Sequence, residues 1–158
     1  MDNAPLTAFE TILRQGAKRT HTATLEQLAI LYGRTALGAA FLSAVADRFG
    51  LWGKYGGWGN FANFTHYTAQ VNSFMPAFII PFLAWAATAA ELLLGVGLVL
   101  GLWPRRLALG AATLLFLFGT AMAISFGIKS PLDYSVFPAS AGAVFLALYQ
   151  SRKSVANS

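Results

Sequence analysis

The sequence predicts an all-α membrane protein, a bundle of four transmembrane helices with an aromatic loop or short interfacial helix between the first and the second. Hydrophobic residues make up 56% of the chain and charged residues only 11%, with a mean hydropathy of +0.57. Such a chain suits a lipid bilayer better than water. Four apolar segments, each close to the roughly 20 residues that a helix needs to cross about 30 Å of hydrocarbon, predict the number of helices.

The four predicted spans cover residues 25–46, 74–100, 107–126 and 132–149. Together they form a single membrane domain over residues 25–150. The sequence shows no second domain and no internal repeat, so we expect one four-helix unit.

The segments outside the spans predict the orientation. Residues 1–24 lack an apolar core and a cleavage site, so we expect a cytoplasmic N-terminal arm and no signal peptide, and residues 151–158 form a cytoplasmic tail. Basic residues concentrate on the side that holds both termini, which the positive-inside rule places in the cytoplasm. The basic residues predicted on that side are Arg14, Lys18, Arg19, Arg105, Arg106, Arg152 and Lys153, against Arg48, Lys54 and Lys129 on the other.

Two turns divide the second half of the chain. Residues 101–105 combine a helix-stopping glycine, an interfacial tryptophan, a proline suited to a first helical turn and an arginine, which predicts a tight cytoplasmic hairpin between spans two and three. Before span four, we expect Ser130 to cap the helix, with Pro131 at its first position and Asp133 at its third. Pro138 is expected to kink that helix.

Spans one and two are joined by a long connection, residues 47–73, that is rich in aromatic residues and glycine. Its second half predicts a short helix in the outer interface, because apolar residues recur there at helical spacing. Two interpretations stay open: an aromatic belt that anchors the depth of the bundle, or a lid over a cavity open to lipid. The residues at helical spacing are Phe61, Phe64, Tyr67, Val71 and Phe74.

Arg34 and Glu91 each lie near the middle of an otherwise apolar span. A lone charge there costs roughly 2.5 to 3.5 kcal/mol, so two charges of opposite sign at matching depth predict a buried ion pair. Gly38 lies one turn from Arg34, and Gly95 lies on the same face as Glu91, so the two backbones can approach closely. The pair is interpreted either as a static bridge that fixes helix register or as a group that handles protons or responds to substrate.

Small and hydroxyl-bearing residues suggest further packing sites. Gly97 and Gly101 form a G-x-x-x-G pattern, which serves either packing inside the bundle or association with a second copy of the chain. Thr113 and Thr120 lie on span three, where they either line an interior stripe or bond to carbonyls of their own helix. We favour bonding to their own helix.

Few residues offer recognisable chemistry. The chain has no cysteine, which excludes thiol catalysis and disulfides, and His21 and His66 cannot form a haem-binding pair inside the membrane. We expect no metal site, no covalently bound cofactor and no nucleic-acid partner, since the basic residues lie at the ends of apolar segments.

A set of aromatic and hydrogen-bonding residues at the outer ends of the helices suits the head group of a quinone. Two of its members also have structural interpretations, because Asp133 is the cap described above and His66 fits a solvated loop position. No catalytic residue is assigned, so whether the chain is an enzyme stays open. The candidate ligand-binding residues are Asp47, Arg48, Trp52, Trp58, His66, Lys129, Asp133 and Tyr134.

In the order of its charged residues and glycines, the chain resembles the DoxX-like family of small four-helix integral membrane proteins over residues 28–150. The first helix carries an arginine and a glycine, the second a glutamate followed by glycines, and a short basic hairpin comes next. The chain departs from the family pattern at Arg48, where a lysine often ends the first helix, and in its long aromatic insert. The residues that carry over are Arg34, Gly38, Glu91, Gly95 and Arg105.

The resemblance implies a role in membrane redox chemistry, because some relatives are subunits of quinone-linked sulfur-compound oxidoreductases or partners in oxidative-stress complexes. We therefore expect an accessory or quinone-interacting subunit in the bacterial cytoplasmic (inner) membrane, surrounded by lipid and associated with other membrane subunits or with copies of itself. The alternatives are a non-catalytic scaffold or assembly protein and a carrier of a small lipophilic solute, which needs an oligomer because four helices are few for alternating access.

Overall fold

The computed structural model describes the backbone of residues 8–156 and the side chains of residues 24–150. All regular structure in this part of the chain is helical, which confirms the predicted all-α class. Two short 3₁₀ turns, Gly53–Tyr55 and Ala77–Ile79, lie between the α-helices. The α-helices are α1 (Ala8–Arg48), α2 (Phe61–Val71), α3 (Ile80–Leu100), α4 (Pro104–Phe126), α5 (Lys129–Asp133) and α6 (Val136–Ala156).

The predicted N-terminal arm and C-terminal tail lie almost wholly outside the residues whose side chains are described. The chain divides into two compact units, residues 1–32 and 33–158. Every residue of the candidate site belongs to the second unit.

Among the described residues, three helical segments are long and apolar enough to cross a membrane: Thr24–Arg48, Ala77–Leu100 and Pro104–Phe126. They correspond to the first three predicted spans. The apolar part of α6, Val136–Gln150, is shorter than these three.

The predicted start of the fourth span, with Ser130 as its N-cap, is wrong. Ser130 and Pro131 do not begin a long helix but lie inside the short α5, whose N-cap is Ile128. The chain then turns at Ser135, which has a left-handed φ of 54°, and α6 begins at the next residue. Pro138 consequently falls in the first turn of α6, where its missing N–H is harmless, and it does not kink a helix interior.

The hairpin between α3 and α4 forms as predicted. Gly101 ends α3 in the left-handed region, with a φ of 74° that suits glycine. The N–H of Leu102 reaches back to the carbonyl of Gly97 at 2.9 Å, which satisfies one of the last carbonyl groups of α3. Pro104 is then the first residue of α4.

α1 and α3 touch through their backbones at two glycines. A Cβ atom on Gly38 would lie 2.9 Å from the carbonyl oxygen of Gly95, and one on Gly95 would lie 3.1 Å from the carbonyl oxygen of Gly38. Contacts of Leu42 with Gly95 and of Gly38 with Val99 show that the two helices run antiparallel. Such small-residue contacts are typical of helix packing in membranes.

Small residues also line the contacts of α4. A Cβ atom on Gly97 would overlap Leu107, so this glycine of the G-x-x-x-G pattern packs inside the chain, against α4. On the side of α4 that faces α6, the Ser140 hydroxyl donates to the carbonyl of Ala112 at 2.8 Å. Alanines fill the buried interior of α4 and α6: Ala108, Ala111, Ala112, Ala143 and Ala147.

The predicted short aromatic helix is α2, which packs against α3 and α4. Asn60 caps its N-terminus, accepting the backbone N–H of Asn63 at 2.9 Å. At the other end, the Ser125 hydroxyl of α4 donates to the carbonyl of Val71 at 2.6 Å. We call the end of the molecule where α1 ends and α3 begins the α2 end, and the opposite one, with Gly101, the hairpin end.

Candidate functional site

The most buried charges in the described part of the chain form one ion pair, between Arg48 and Glu91. Arg48 is the last residue of α1, and Glu91 lies near the middle of α3. Nη2 of Arg48 lies 2.7 Å from each carboxylate oxygen of Glu91, so the two N–H groups of one nitrogen bind both oxygens. Each residue is only 2% exposed. The pair is therefore shielded from its surroundings by the protein itself.

Neighbouring side chains complete the pocket around the guanidinium. Nη1 of Arg48 donates to the Thr88 hydroxyl at 2.8 Å, and that hydroxyl donates in turn to the carbonyl of Ala84 at 2.8 Å. The ring of Phe64, on α2, lies across the guanidinium, with its centroid 3.7 Å from Cζ. Trp58 adds a second ring at 5.6 Å. The cation thus donates hydrogen bonds to α3 and contacts aromatic rings of α2 and of the loop that precedes it.

Helix geometry explains why these two distant positions meet. Side chains on an α-helix tilt toward its N-terminus. The side chain of Arg48 therefore leans back along α1 into the protein, whereas that of Glu91 leans toward the start of α3, which lies at the α2 end. The two side chains approach each other, and the length of the arginine closes the gap.

The expected pairing of Arg34 with Glu91 is wrong. In antiparallel helices, residues that precede Gly38 lie beside residues that follow Gly95. Arg34 precedes Gly38, and Glu91 precedes Gly95. In antiparallel helices the two charges therefore lie at opposite ends of the Gly38–Gly95 contact. Arg34 instead lies at the hairpin end, where its Nη2 donates to the carbonyl of Val99 at 3.4 Å.

Arg34 contributes to the end of α3. A Cβ atom on Gly101 would lie 2.7 Å from Nη2 of Arg34, so the guanidinium rests against the glycine. A cation at a helix C-terminus is stabilised by the helix dipole. The carried-over arginine therefore has a packing role at the hairpin.

The geometry of the Arg48–Glu91 pair favours the static-bridge interpretation over proton handling. Both carboxylate oxygens of Glu91 are engaged by the same guanidinium nitrogen, and Thr88 holds the other terminal nitrogen. Two polar atoms in this region, Nε of Arg48 and Oδ1 of Asp47, are buried and have no hydrogen-bond partner in the described structure.

An aromatic cluster covers the ion pair at the α2 end. Phe61 of α2 stacks on Trp85 of α3 at a centroid distance of 4.2 Å. Trp58 contacts Phe64 at 5.1 Å and Tyr67 at 5.7 Å. Burial, together with the nearby Tyr134, raises the pKa of Tyr67 above its ordinary value of 10.0, so its phenol stays neutral at physiological pH.

Most of the predicted ligand-binding residues serve local structure, and only some of them lie together: Asp47, Arg48 and Trp58 meet at the loop before α2. Oδ2 of Asp47 accepts the backbone N–H groups of Gly57 and Trp58 at 2.9 and 3.0 Å, which fastens the loop before α2. The indole N–H of Trp52 donates to the carbonyl of Ser43 at 3.1 Å.

The last three of the predicted set are exposed, on and just after α5, and of these Tyr134 lies near Tyr67 of the aromatic cluster. Lys129 and Asp133 form an exposed ion pair within α5 at 2.5 Å, so the carboxylate does not cap α6. Tyr134 follows them and is exposed.

Thr113 and Thr120 of α4 bond to carbonyls of their own helix, at Leu109 and Phe116, as favoured from sequence.

His66 is the predicted residue that lines a cleft. The cleft has a volume of about 340 Å³ and lies between α2 and the segment that leads into α3. This volume is at the lower end of the range of small-molecule sites, about 300 to 1,000 Å³. Sequence reasoning left a cavity covered by this segment open and named His66, but it did not find the other lining residues, because the cleft depends on how α2 folds back toward the start of α3. The lining residues are Thr65, His66, Ala69, Ser73, Met75, Ala77, Ile80 and Pro81.

Potential metal ligands are dispersed. No group of three or more histidine, aspartate or glutamate side chains suited to a metal ion occurs among the described residues. The cleft offers the imidazole of His66, two hydroxyl groups and apolar walls, which suits an uncharged ring compound better than an ion.

The family model DoxX matches residues 29–127 of the chain. The matched range contains the ion pair of Arg48 and Glu91, the whole of α2 and the cleft beside His66. Comparisons with curated proteins and with solved structures found no match. The family match covers well over half of the chain and includes most of the first long apolar segment and the whole of the other two. The chain therefore belongs to the DoxX family of membrane proteins.

Proposed function

We propose that this chain is an accessory, quinone-interacting subunit of a bacterial membrane redox complex. The observation that carries the proposal is the cleft of about 340 Å³ beside His66. It adjoins the N-terminal end of α3, one of the helices long enough to cross a membrane. A lipophilic ring compound dissolved in the bilayer can reach a site at the end of such a helix without leaving the lipid.

The residues of the cleft fit a quinone ring. Met75, Ile80 and Pro81 supply apolar walls, and His66 supplies a ring nitrogen for a hydrogen bond to a carbonyl oxygen. A bound quinone would supply reversible two-electron, two-proton chemistry. This chain would hold the ring at the membrane interface for a partner subunit.

The proposal includes a topology. We place the chain in the bacterial inner membrane with α6 as a fourth crossing and both termini in the cytoplasm. Arg105 and Arg106 are exposed at the hairpin end, where the positive-inside rule favours the cytoplasm. Reporter fusions at each terminus and at the loop before α2 test this orientation: both termini should report the cytoplasm and the loop the opposite side.

The quinone proposal is tested by purification in mild detergent and extraction of bound lipid. We expect a quinone to co-purify with the protein and an added short-chain quinone to raise its melting temperature. Absence of both effects would contradict the proposed quinone-interacting function.

A matched pair of variants tests whether the cleft is the site. Ala69→Phe fills the cleft from α2, whereas Ala62→Phe adds the same ring at an exposed position of α2 that does not line it. We expect Ala69→Phe to abolish the stabilisation by quinone and Ala62→Phe to preserve it. Equal effects of the two variants would place any quinone elsewhere.

The second candidate is a non-catalytic scaffold for other membrane subunits. It is favoured by large, exposed aromatic residues at the start of α3, of which Phe78, in the preceding 3₁₀ turn, is 82% exposed and Phe82, on α3, is 71% exposed. This surface contacts either lipid or a partner helix. If the scaffold function holds, Phe82→Ala will disperse the native complex while filling the cleft with Ala69→Phe will leave both the complex and its activity intact.

A further inference from the structure

Met75 lies in the turn that leads from α2 toward α3 and forms part of the wall of the cleft. Its backbone N–H donates to the carbonyl of Asn72 at 2.8 Å, which closes the turn. The next residue, Pro76, restricts the backbone of Met75 to extended conformations. Ser73 and Ala77, two residues away on either side, line the same cleft. The local backbone therefore holds the thioether of Met75 at the cleft.

Met75 is the more accessible of the two methionines whose side chains the structure describes. It is 41% exposed, whereas Met122, on α4, is 7% exposed. A thioether has no proton to lose, so its oxidation by a peroxide depends on whether the oxidant reaches the sulfur. Peroxide should therefore oxidise Met75 before Met122.

We propose that Met75 is an oxidation site, and that conversion of its thioether to the sulfoxide by a hydroperoxide lowers the affinity of the cleft for an apolar ring ligand. The sulfur gives an electron pair to one peroxide oxygen, the O–O bond breaks, and with hydrogen peroxide the other oxygen leaves as water. Sulfur loses two electrons and the peroxide gains two. The inference rests on the proposed function, because it concerns the same cleft and the same class of ligand.

The product changes the chemistry of the wall. Met75 forms the apolar wall together with Ile80 and Pro81, and a sulfoxide makes this part of it polar. The sulfoxide oxygen accepts hydrogen bonds from water, which a ring must displace in order to pack against it. The hydroxyl of Thr65 does not replace that water, since it already donates to the carbonyl of Phe61 at 2.9 Å. We expect the oxidised cleft to bind a ring ligand about tenfold more weakly.

Site-selective oxidation is tested on the full chain in mild detergent. The protein is treated with hydrogen peroxide, and peptide mass spectrometry follows the addition of one oxygen at each methionine. We expect Met75 to be fully converted while Met122 stays unmodified. A bound decyl-substituted benzoquinone should slow the reaction at Met75, because the ring covers this wall. Equal rates at Met75 and Met122 would overturn the inference.

The effect on binding is measured by calorimetric titration with the same quinone before and after oxidation. We expect the oxidised wild type to bind about tenfold more weakly, and methionine sulfoxide reductases specific for each of the two epimers to restore the affinity. Met75→Leu, whatever its starting affinity, should show no change after peroxide treatment. Met122→Leu is the matched control and should respond to peroxide as wild type does.

The outcomes separate the two proposals. The inference is overturned, while the proposed function stands, if oxidised and untreated wild type bind the quinone equally. The same holds if Met75→Leu loses affinity on oxidation as much as wild type does. If the untreated protein does not bind the quinone, both proposals are overturned.

Discussion

Gly38 and Gly95 bring the backbones of α1 and α3 into contact, and this contact sets the register that places Arg48 beside Glu91. Each helix advances about 1.5 Å per residue, in opposite directions. A shift of one turn at the glycines would move the guanidinium about 5 Å from the carboxylate. The packing of two small residues and the pairing of two charges are therefore one structural arrangement.

The glycine contact predicts a steric effect. A methyl group at Gly38 would lie 2.7 Å from Val99 and 2.9 Å from the carbonyl oxygen of Gly95, so Gly38→Ala must push the helices apart. We expect a loss of about 1 to 3 kcal/mol in the free energy of unfolding in detergent. Gly142→Ala is the matched control, since nothing lies within 4 Å of its added Cβ atom. An equal effect of the two variants would show that the helices do not touch at Gly38.

The hairpin predicts an interaction between Gly101 and Arg34. Gly101→Ala places a side chain on a residue with a φ of 74° and displaces the guanidinium from the carbonyl of Val99. We expect a loss of about 1 to 2 kcal/mol from the backbone conformation, as in the control Gly53→Ala, and a further loss from Arg34. In an Arg34→Leu background that further loss should vanish. If it persists there, Arg34 does not rest on the glycine.

The ring of Phe64 predicts a cation–π contribution. Phe64→Leu keeps an apolar side chain over Arg48 but removes the aromatic face, whose centroid lies 3.7 Å from Cζ. We expect the unfolding free energy to fall by about 1 to 2 kcal/mol more in wild type than in an Arg48→Met background. A penalty that is the same in both backgrounds would mean that Phe64 acts through packing alone.

The capping contact of Asn60 predicts the local stability of α2. Asn60→Ala removes the acceptor of the Asn63 N–H and should cost about 1 kcal/mol, whereas Asn60→Asp retains the cap. Hydrogen exchange of the α2 amides measures this effect. We expect faster exchange in Asn60→Ala and near wild-type exchange in Asn60→Asp. Unchanged exchange in Asn60→Ala would show that tertiary packing alone orders α2.

The sequence predicts the apolar helices well, because hydropathy and helix length are local properties. The aromatic spacing of residues 61–74 predicts α2, and the glycine and proline of residues 101–105 predict the hairpin. The break between α5 and α6 is missed, because Ser130 and Pro131 form a plausible helix start. The left-handed turn at Ser135, which a non-glycine residue rarely adopts, gives no signal in the sequence.

The partner of Glu91 is missed for a different reason. Matching the depths of Arg34 and Glu91 assumes that both spans end at the same level, whereas the register follows from the glycine contact. The pairing of Gly38 with Gly95 in antiparallel helices already favours a partner on the C-terminal side of Gly38. Arg48 satisfies that condition, but its place at the end of α1 resembles that of an interfacial charge. The structure shows that an arginine at a helix end reaches into the interior.

The most direct test of this arrangement is a double-mutant cycle on Arg48 and Glu91. Arg48→Met and Glu91→Gln each leave one buried partner alone, and we expect each to lower the unfolding free energy by about 3 to 5 kcal/mol, whereas the double variant should lose far less than the sum. A cycle of Arg34→Met with Glu91→Gln should be additive. Additive losses for Arg48 and Glu91, or strong coupling of Glu91 to Arg34, would contradict the account.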